Sequence, residues 1–557
     1  MVHCQWIELN SSVSFLEDTL EDSCAVLIAG AGPTGLVMAI ELARRGIACR
    51  IVDKVLPRPY SESRAEGIHA KTLDIFERQG ILPAILKAGK VLHGFSFFAE
   101  GRALGRITFA TLDSPHPYAI LLPQSEVERL LLEHLATLGV QVERPTEVIG
   151  MQQDADGTSV QIRDQYGTEQ TLRARYLIAA DGGQSTIRHL LQLDFPGHRL
   201  QGAYVMDADM DIAIPLPTDD GTFVLGPHGF LVLGLRPDGL WRLALSLPQK
   251  DTRMGREQPT KERMQQILDT DFRDLGIHLK STSWSSAFFL SSRMVSNIRR
   301  GRIFLVGDAA HIHSPVGGQG MNTGIQDAVN LAWKLALCVQ HEEQEPLLAS
   351  YHAERYPVMK RLIATTNAST VPLLVEQPLL VHARNLLLRV VTHIAALNTQ
   401  LISSFTGFEV HYRHSPILAD LDGGRGVHAG DYAPDVTELV TLNQQFARFA
   451  DLWATDARHQ LLCFPESDTV PSDITSLQEC IDQHVPPTST TIRPWIITQQ
   501  PDLWYPNVVF DPNGHAAKRF GAQKGDVFLL RPDGYIGMTG QWASLLKKPH
   551  YLSHLVS

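Results

Sequence analysis

Three short stretches of this 557-residue chain bring carboxylates and bare backbone together at spacings that could do chemistry. The first is Ala25-Val-Leu-Ile-Ala-Gly30-Ala-Gly32-Pro33-Thr-Gly35, an apolar run entering a Gly-x-Gly-x-x-Gly turn, with Asp53-Lys54 closing the unit. Gly30 permits a tight turn, Gly32 lets the backbone approach a pyrophosphate, and Gly35 lets helix and strand pack closely. The helix N-terminus then points unpaired N–H groups at phosphates, and Asp53 can accept hydrogen bonds from ribose hydroxyls. This is the chemistry of dinucleotide binding.

The second stretch is Tyr176-Leu-Ile-Ala-Ala180-Asp181-Gly182-Gly183-Gln-Ser185-Thr-Ile-Arg188. A strand delivers an acid to a glycine turn, Ser185 can cap the next helix, and Arg188 follows one turn on. Taken alone, Asp-Gly is most often only a turn. The third is Phe304-Leu-Val-Gly307-Asp308-Ala-Ala-His311-Ile-His-Ser-Pro315-Val-Gly317-Gly318-Gln319-Gly320-Met321-Asn322. Here a buried strand ends in Gly-Asp, which puts a carboxylate where ligands of open α/β sheets bind. Pro315 and the glycines bring bare N–H groups to the start of a helix over 322–338, whose dipole favours negative charge. Alone, it reads equally as a loop between strand and helix.

The elements that position these stretches follow from periodicity. Val37, Ile40 and Leu42-Ala43 give the first helix an apolar face, Arg44-Arg45-Gly46 ends it, and 47–52 is the next strand. Pro57-Arg58-Pro59 breaks regular structure, and 63–80 runs from loop into an amphipathic helix. Residues 95–111 alternate as strands, 121–138 form a helix, and 140–180 read as a meander with turns at Asp156-Gly157 and Tyr166-Gly167. Within that meander 171–173 and 176–180 read as separate strands. Residues 202–290 are again strands, interrupted by one helix near Lys261–Asp269. This rhythm predicts one nucleotide-binding domain whose chain repeatedly leaves to build a second. The leucine-rich helices of 345–405 admit membrane contact, but base rates favour core or interdomain packing. Gly423-Gly424-Arg425-Gly426 reads as a linker.

The chain is too long for one core, so two to four domains are expected. A net charge of −11 without a basic run disfavours a nucleic-acid partner. Cys4, Cys24, Cys49, Cys338, Cys463 and Cys480 lack zinc or Cys-x-x-Cys spacing and read as reduced thiols of a cytoplasmic protein. No metal site is expected. No stretch reaches the roughly 18 apolar residues of a transmembrane segment. Acids near the N-terminus argue against a secretory signal, and 1–23 read as a short extension.

The three stretches, in this order, resemble the FAD-dependent aromatic hydroxylases of the p-hydroxybenzoate hydroxylase and phenol hydroxylase type, single-component class A flavoprotein monooxygenases. The resemblance covers about 24–365 and includes Leu348-Ala-Ser-Tyr351-His-Ala-Glu354-Arg355-Tyr-Pro357. It implies an α/β (α+β) fold: a Rossmann-like FAD-binding domain interleaved with an antiparallel-sheet substrate domain, plus a thioredoxin-like C-terminal domain. The implied boundaries are 24–201 for the first FAD-binding part, with a sheet excursion near 95–120, and 202–290 for the substrate sheet. The second FAD-binding part with long helices follows over 291–409, and the C-terminal domain over 410–557.

By the same resemblance, Gly30, Gly32, Pro33, Gly35, Asp53 and Lys54 hold the ADP half of FAD, Arg64 lies near the pyrophosphate, and Gln124 beside the ribityl chain. Asp181-Gly182 serves FAD and the nicotinamide donor. Gly307-Asp308 bonds the ribityl hydroxyls, while Pro315, Gly317, Gly318, Gly320, Met321 and Asn322 line the isoalloxazine edge. Asp53 departs from the glutamate of many relatives and Lys71 from their arginine or glutamine. The C-terminal part resembles the phenol hydroxylase branch through Tyr412, Ser415-Pro416 and Leu530-Arg531-Pro532-Asp533-Gly534-Tyr535-Ile536-Gly537. Without Cys-x-x-Cys that domain is expected to pack or to make a homodimer contact rather than do redox work.

The implied reaction uses NAD(P)H as a transient co-substrate and O2, forms a flavin C4a-hydroperoxide, and hydroxylates a phenolic or polyketide-type aromatic. Baeyer–Villiger oxygenation on the same scaffold and a non-catalytic FAD-binding protein stay open as alternatives. A halogenase does not fit, because Trp-x-Trp-x-Ile-Pro is missing; the nearest stretch is Gly239-Leu-Trp241-Arg-Leu. Tyr204 and His228 are candidates for a substrate base, a structural role being favoured for His228. No catalytic side chain is assigned.

Overall fold

The computed structural model describes residues 23–57, 65–247, 257–314, 317–341, 344–422, 426–441, 446–454, 456–465, 491–500 and 507–547. The extension before residue 23, Arg58-Pro59, Arg64, Pro315, Cys4, Cys480 and Gly423–Arg425 lie outside them. The first strand, Ser23–Ala29, is apolar because both its faces are covered, and Val26, Leu27 and Ile28 are fully buried. Each contributes about 1.5–3 kcal/mol by leaving water. It pairs in parallel with Cys49–Val52 on one side and Glu169–Ala179 on the other, and the latter pairs in parallel with Ile303–Leu305. The Pro33–Ala43 helix makes the crossover between the first two strands and packs on the Gln319–Gln340 and Gln124–Thr137 helices.

The meander is real but holds fewer strands than its sequence reads. Residues 171–173 and 176–180 belong to one strand, Glu169–Ala179. Its first half pairs antiparallel with Thr158–Asp164 and its second half lies parallel to Ser23–Ala29. The third stretch's helix starts at Gln319, before Asn322, and runs to Gln340.

A second eight-stranded sheet contains Gly197–Asp211, Asp220–Leu225, Phe230–Leu235, Trp241–Ser246 and His278–Met294. Gly94–Ala99 and Arg102–Thr108 form one edge of the same sheet, and His311–Ile312 forms the other. Alternation splits its residues between two faces. Tyr204, Met206, Leu231 and Leu243 pack under the Lys261–Asp271 helix, with Met264 and Leu268. Phe97, Phe223, Leu225 and Phe230 pack instead with Leu121, Leu373 and Ile402.

The third sheet, from Ala419–Asp420 through Ile536–Gln541, has its own apolar clusters around Phe528 and Leu529. It is fastened to the first unit by buried polar bonds. Lys71, the departure from the resembled pattern, is buried; it donates to the Tyr535 hydroxyl and, at 3.1 Å, to Gly407 O.

The leucine-rich helices Pro378–His393 and Ala395–Thr406 depart from the packing expectation. Their inner side reaches the core through Ile402, but Leu379 is 81% exposed, Leu386 65% and Leu387 61%. Among the described residues no single helix is long and apolar enough to cross a membrane. Cys24, Cys49, Cys338 and Cys463 are free thiols.

Candidate functional site

The three stretches, distant in sequence, leave the sheet at one edge. Ala29 sits opposite Ala179, and Ala179 opposite Leu305, in adjacent parallel strands. Gly30, Ala180-Asp181 and Val306-Gly307-Asp308 therefore emerge side by side from three strand ends. Ala180 N donates to Ala29 O at 2.8 Å and Val306 N to Ala179 O at 3.0 Å, so the registers hold to the last residue.

The glycines divide by role. A Cβ on Gly30, at φ +101°, would lie 2.3 Å from Ala180 O, and one on Gly35 would lie 1.9 Å from Gly30 O. Those two are required by the fold itself. A Cβ on Gly32, or on Gly182 at φ +79°, would meet nothing within 4 Å. Gly32 caps the Pro33–Ala43 helix without a side-chain hydrogen bond, so its first N–H groups face open space. A space bounded by glycine and helix N–H groups fits a pyrophosphate. Asp53 Oδ2 accepts from Ala31 N at 2.8 Å and Oδ1 from Val55 N at 2.9 Å, which fixes the carboxylate at the strand tip. Lys54 is exposed and reaches Glu147 at 3.9 Å.

Asp181 accepts from Ile187 N at 3.1 Å through Oδ2, while its Oδ1 is buried without a partner among the described residues. Burial raises its carboxyl pKa. Ser185 caps the following helix as its sequence predicts, accepting from Arg188 N at 3.0 Å. Arg188 then donates to Gly183 O at 2.7 Å and Ala309 O at 3.0 Å, tying the second stretch to the third. Asp308 is exposed to solvent at its strand end, while the protein packed around it raises its carboxyl pKa against the pull of His311. Gln124 heads its helix, with its amide on Glu128 at 2.8 Å and its backbone N on Ala65 O.

The glycine loop opens the Gln319–Gln340 helix at Gly318, which has φ +65° and gives no side-chain cap. Gly317 is also left-handed, and a Cβ there would strike the Phe405 ring at 2.7 Å. Gly320 and Met321 lie in the first turn. Asn322 staples the loop: Nδ2 donates to Gly67 O and Gly318 O, and Oδ1 accepts from His69 N at 2.9 Å. Its side chain is thus occupied by protein, while the helix-start N–H groups stay available.

Several residues here carried no signal in the sequence reading. Asp327, buried in an apolar helix, accepts from Gly307 N at 3.1 Å, His311 Nε2 at 2.8 Å and Arg355 Nε at 2.7 Å. Burial opposes its charge, but Arg355 and His311 outweigh it and hold its pKa down. An acid amid Ile325, Ala328 and Val329 was the available clue. Arg144 donates to Ala31 O at 2.8 Å beside Asp53 and leaves Nε and Nη1 buried and unpartnered among the described residues. His313, its Nδ1 bonded to Ser314 O at 2.9 Å, has its pKa pushed down by burial to about 4. It is an acceptor and a poor base.

Neither proposed base lies with these groups. Tyr204 is on the sheet face under the Lys261–Asp271 helix, and His228 is half exposed, paired with Asp271 at 2.8 Å. The opposite face carries a buried charge cluster. Asp207 binds Arg236 and, at 2.8 Å, Arg242, which also reaches Glu66 at 2.8 Å. Burial pushes the Glu66 carboxyl up to about 7 against the pull of Arg242. Among the described residues no group of His, Cys, Asp and Glu could hold a metal.

Residues 23–366 match the FAD binding domain family. Pentachlorophenol 4-monooxygenase of Sphingobium chlorophenolicum is 32% identical over 92% of this chain and 93% of its own length. 6-Methylpretetramide 4-monooxygenase of Streptomyces rimosus is 32% identical over 93% of this chain and 91% of its own. The solved structure of the anhydrotetracycline hydroxylase OxyS from Streptomyces rimosus superposes with TM-score 0.72 at 29% identity, covering 94% of this chain and 96% of that one. The open glycine cradle, the unpartnered Asp181 oxygen and the accessible Asp308 fit FAD, and the chain belongs to the FAD binding domain family, as an FAD-dependent aromatic monooxygenase.

Proposed function

We propose that this enzyme hydroxylates a phenolic or polyketide-type aromatic ring, with FAD held along the edge where the three stretches meet. The carrying observation is the register Ala29–Ala179–Leu305, which sets the three turns beside one another. FAD supplies the hydride acceptance from NAD(P)H and the activation of O2; the chain supplies placement and electrostatics.

In this reading Gly32 and the Pro33–Ala43 helix N-terminus bind the pyrophosphate, and Asp53 with Lys54 flanks the adenosine ribose. Asp181-Gly182 and Gly307-Asp308 hold the middle of the cofactor, with Arg64 and Gln124 beside it. The N–H groups from Gly317 to Asn322 favour negative charge on the reduced ring. The antiparallel sheet over 202–290 roofs the aromatic substrate and excludes water. We read the first unit as Rossmann-like and the C-terminal unit as a thioredoxin-like packing domain of a cytoplasmic enzyme, with a homodimer open to light scattering.

NADPH-dependent oxygen uptake across an aromatic library, with product mass read for one added oxygen, tests the reading. A ring hydroxylation product supports it. A lactone or ester from a ketone substrate points to Baeyer–Villiger oxygenation instead. Substrate-independent NADPH oxidation with every compound contradicts a hydroxylase.

A further inference from the structure

The helix Pro378–His393 is built inside out. Its protein-facing side is polar: Arg384 reaches Gly226 O at 3.4 Å, and a Cβ on Gly105 of the Arg102–Thr108 edge strand would lie 1.9 Å from Thr392 Oγ1. In the helix that follows, Asn398 donates to Arg106 O at 3.2 Å and accepts from Thr108 N at 3.4 Å. Arg384, Thr392 and Asn398 are all buried. These contacts fix which side of the helix meets the protein.

The solvent side is apolar. Leu379, Ala383, Leu386, Leu387, Val390 and Ile394 recur at helical spacing, and all are exposed. Exposed Leu397 extends the stripe into the first turn of the next helix, before Ile402 returns to the core. A helix on the surface of a globular protein ordinarily turns its apolar stripe inward. A contiguous apolar face left outside marks an interaction surface.

Charge identifies what covers it. The chain carries −11 overall, yet no Asp or Glu occurs between Glu376 and Glu409. Arg389 in that stretch is exposed, as are His382 and His393. The edge strand under the helix adds exposed Arg102, while its Arg106 is paired with Asp220 at 2.7 Å. A two-fold-related copy would bring the same basic, acid-free face against Arg389, with no carboxylate to pair it. A bilayer with anionic headgroups supplies both the apolar layer and the missing negative charge.

The geometry fits lying on a bilayer. Pro378–His393 has 16 residues, about 24 Å at the α-helical rise, and the next helix leaves it at 97°. With its polar side bonded to the protein, only the outer face is left to enter lipid.

We propose that the outer face of Pro378–His393 docks this enzyme on the surface of an anionic lipid bilayer. The leucines enter the boundary between headgroups and acyl chains, and Arg389 meets the lipid phosphates.

The test is flotation of the FAD-loaded enzyme on phosphatidylcholine vesicles made with or without an equal part of phosphatidylglycerol. The proteins compared are the wild type, Leu386→Ser/Leu387→Ser and Arg389→Gln. These side chains are exposed and lie outside the three stretches proposed to hold FAD, so flavin content and circular dichroism should match the wild type. We expect the wild type to float with phosphatidylglycerol vesicles and far less with phosphatidylcholine alone. The double serine variant should bind roughly ten-fold more weakly or worse, and Arg389→Gln about five-fold more weakly. If the double variant does not fold, Arg389→Gln decides alone. Absence of wild-type flotation, equal flotation on both vesicle types, or variants that float like the wild type overturns this inference. So does a lipid-free dimer in sedimentation velocity that the double serine variant splits, because a second copy then covers the face.

Discussion

Glu354 and Arg531, 177 positions apart, form a two-bonded fork: Nη1 reaches Oε1 at 2.7 Å and Nη2 reaches Oε2 at 2.8 Å, with both side chains buried. Lys334 adds a 2.7 Å bond to Oε2 and Ser415 a 2.6 Å bond to Oε1. Burial disfavours the charged carboxylate, but Arg531 and Lys334 outweigh it and hold its pKa well below the ordinary range. The helix that carries Lys334 begins at the glycine loop, so this fork anchors the C-terminal unit to the element that starts at the cofactor edge.

Glu354→Leu leaves the buried Lys334 ammonium with only Asn330 Oδ1, at 3.0 Å, among the described residues. Breaking one partner of such a network costs about 3–5 kcal/mol. Urea unfolding should show that loss, with protease cleavage appearing first in the C-terminal unit. A change under about 0.5 kcal/mol would show that the fork does not fasten the units.

The Gln319–Gln340 helix approaches the strand ends through Gly324. A Cβ there would lie 2.3 Å from Thr34 Oγ1 and 3.2 Å from Gly307 Cα. Gly324→Ala should therefore cost about 1–3 kcal/mol by overpacking. Adding Thr34→Ala removes the hydroxyl and should regain part of that loss. A fully additive double variant would contradict the contact.

Asp308 is a solvent-exposed acid at the third turn and has no hydrogen-bond partner among the described residues. Asp308→Ala should weaken FAD binding by about 1.5–3 kcal/mol for a charge-assisted hydrogen bond, on the order of ten- to a hundred-fold. Fluorescence titration of the apoprotein with FAD measures this, and the fold should stay intact by circular dichroism. Unchanged affinity would move the cofactor away from Asp308.

The Glu66 carboxyl, raised by burial to about 7 from the ordinary 4.5, gives stability a pH dependence. Because the folded value is the higher one, its contribution is full below about 4.5 and is lost as pH rises through about 7. The slope is at most about 1.4 kcal/mol per pH unit. Glu66→Gln should flatten unfolding free energy across this window, and an unchanged slope would assign the dependence to other groups.

The cofactor edge was legible because its signals are local. Gly30, Gly35 and Ser185 are dictated by backbone geometry within a few residues, and each sits where its spacing requires. The long-range relationships were not legible. Asp327 and Arg355 lie 28 positions apart, and Lys71 meets Tyr535 across 464, so no window contains both partners. The sheet faces were lost for a related reason: alternation shows that Tyr204 and Asp207 point oppositely, but not which side meets the cofactor unit. Packing was expected for 345–405; Leu347, Leu348, Tyr351 and Met359 are buried in the core, whereas the later helix turns Leu386 and Leu387 outward.

The central claim is that three turns from adjacent strand ends grip one FAD. Titrating the folded apoprotein with FAD, under flavin fluorescence and absorbance, tests it most directly. We predict a stoichiometry of about one per chain, with Gly32→Val abolishing uptake without unfolding, because a side chain there would fill the space of the pyrophosphate. Folded wild-type protein that stays colourless at saturating FAD, or a Gly32→Val variant that binds as tightly as wild type, would contradict the account.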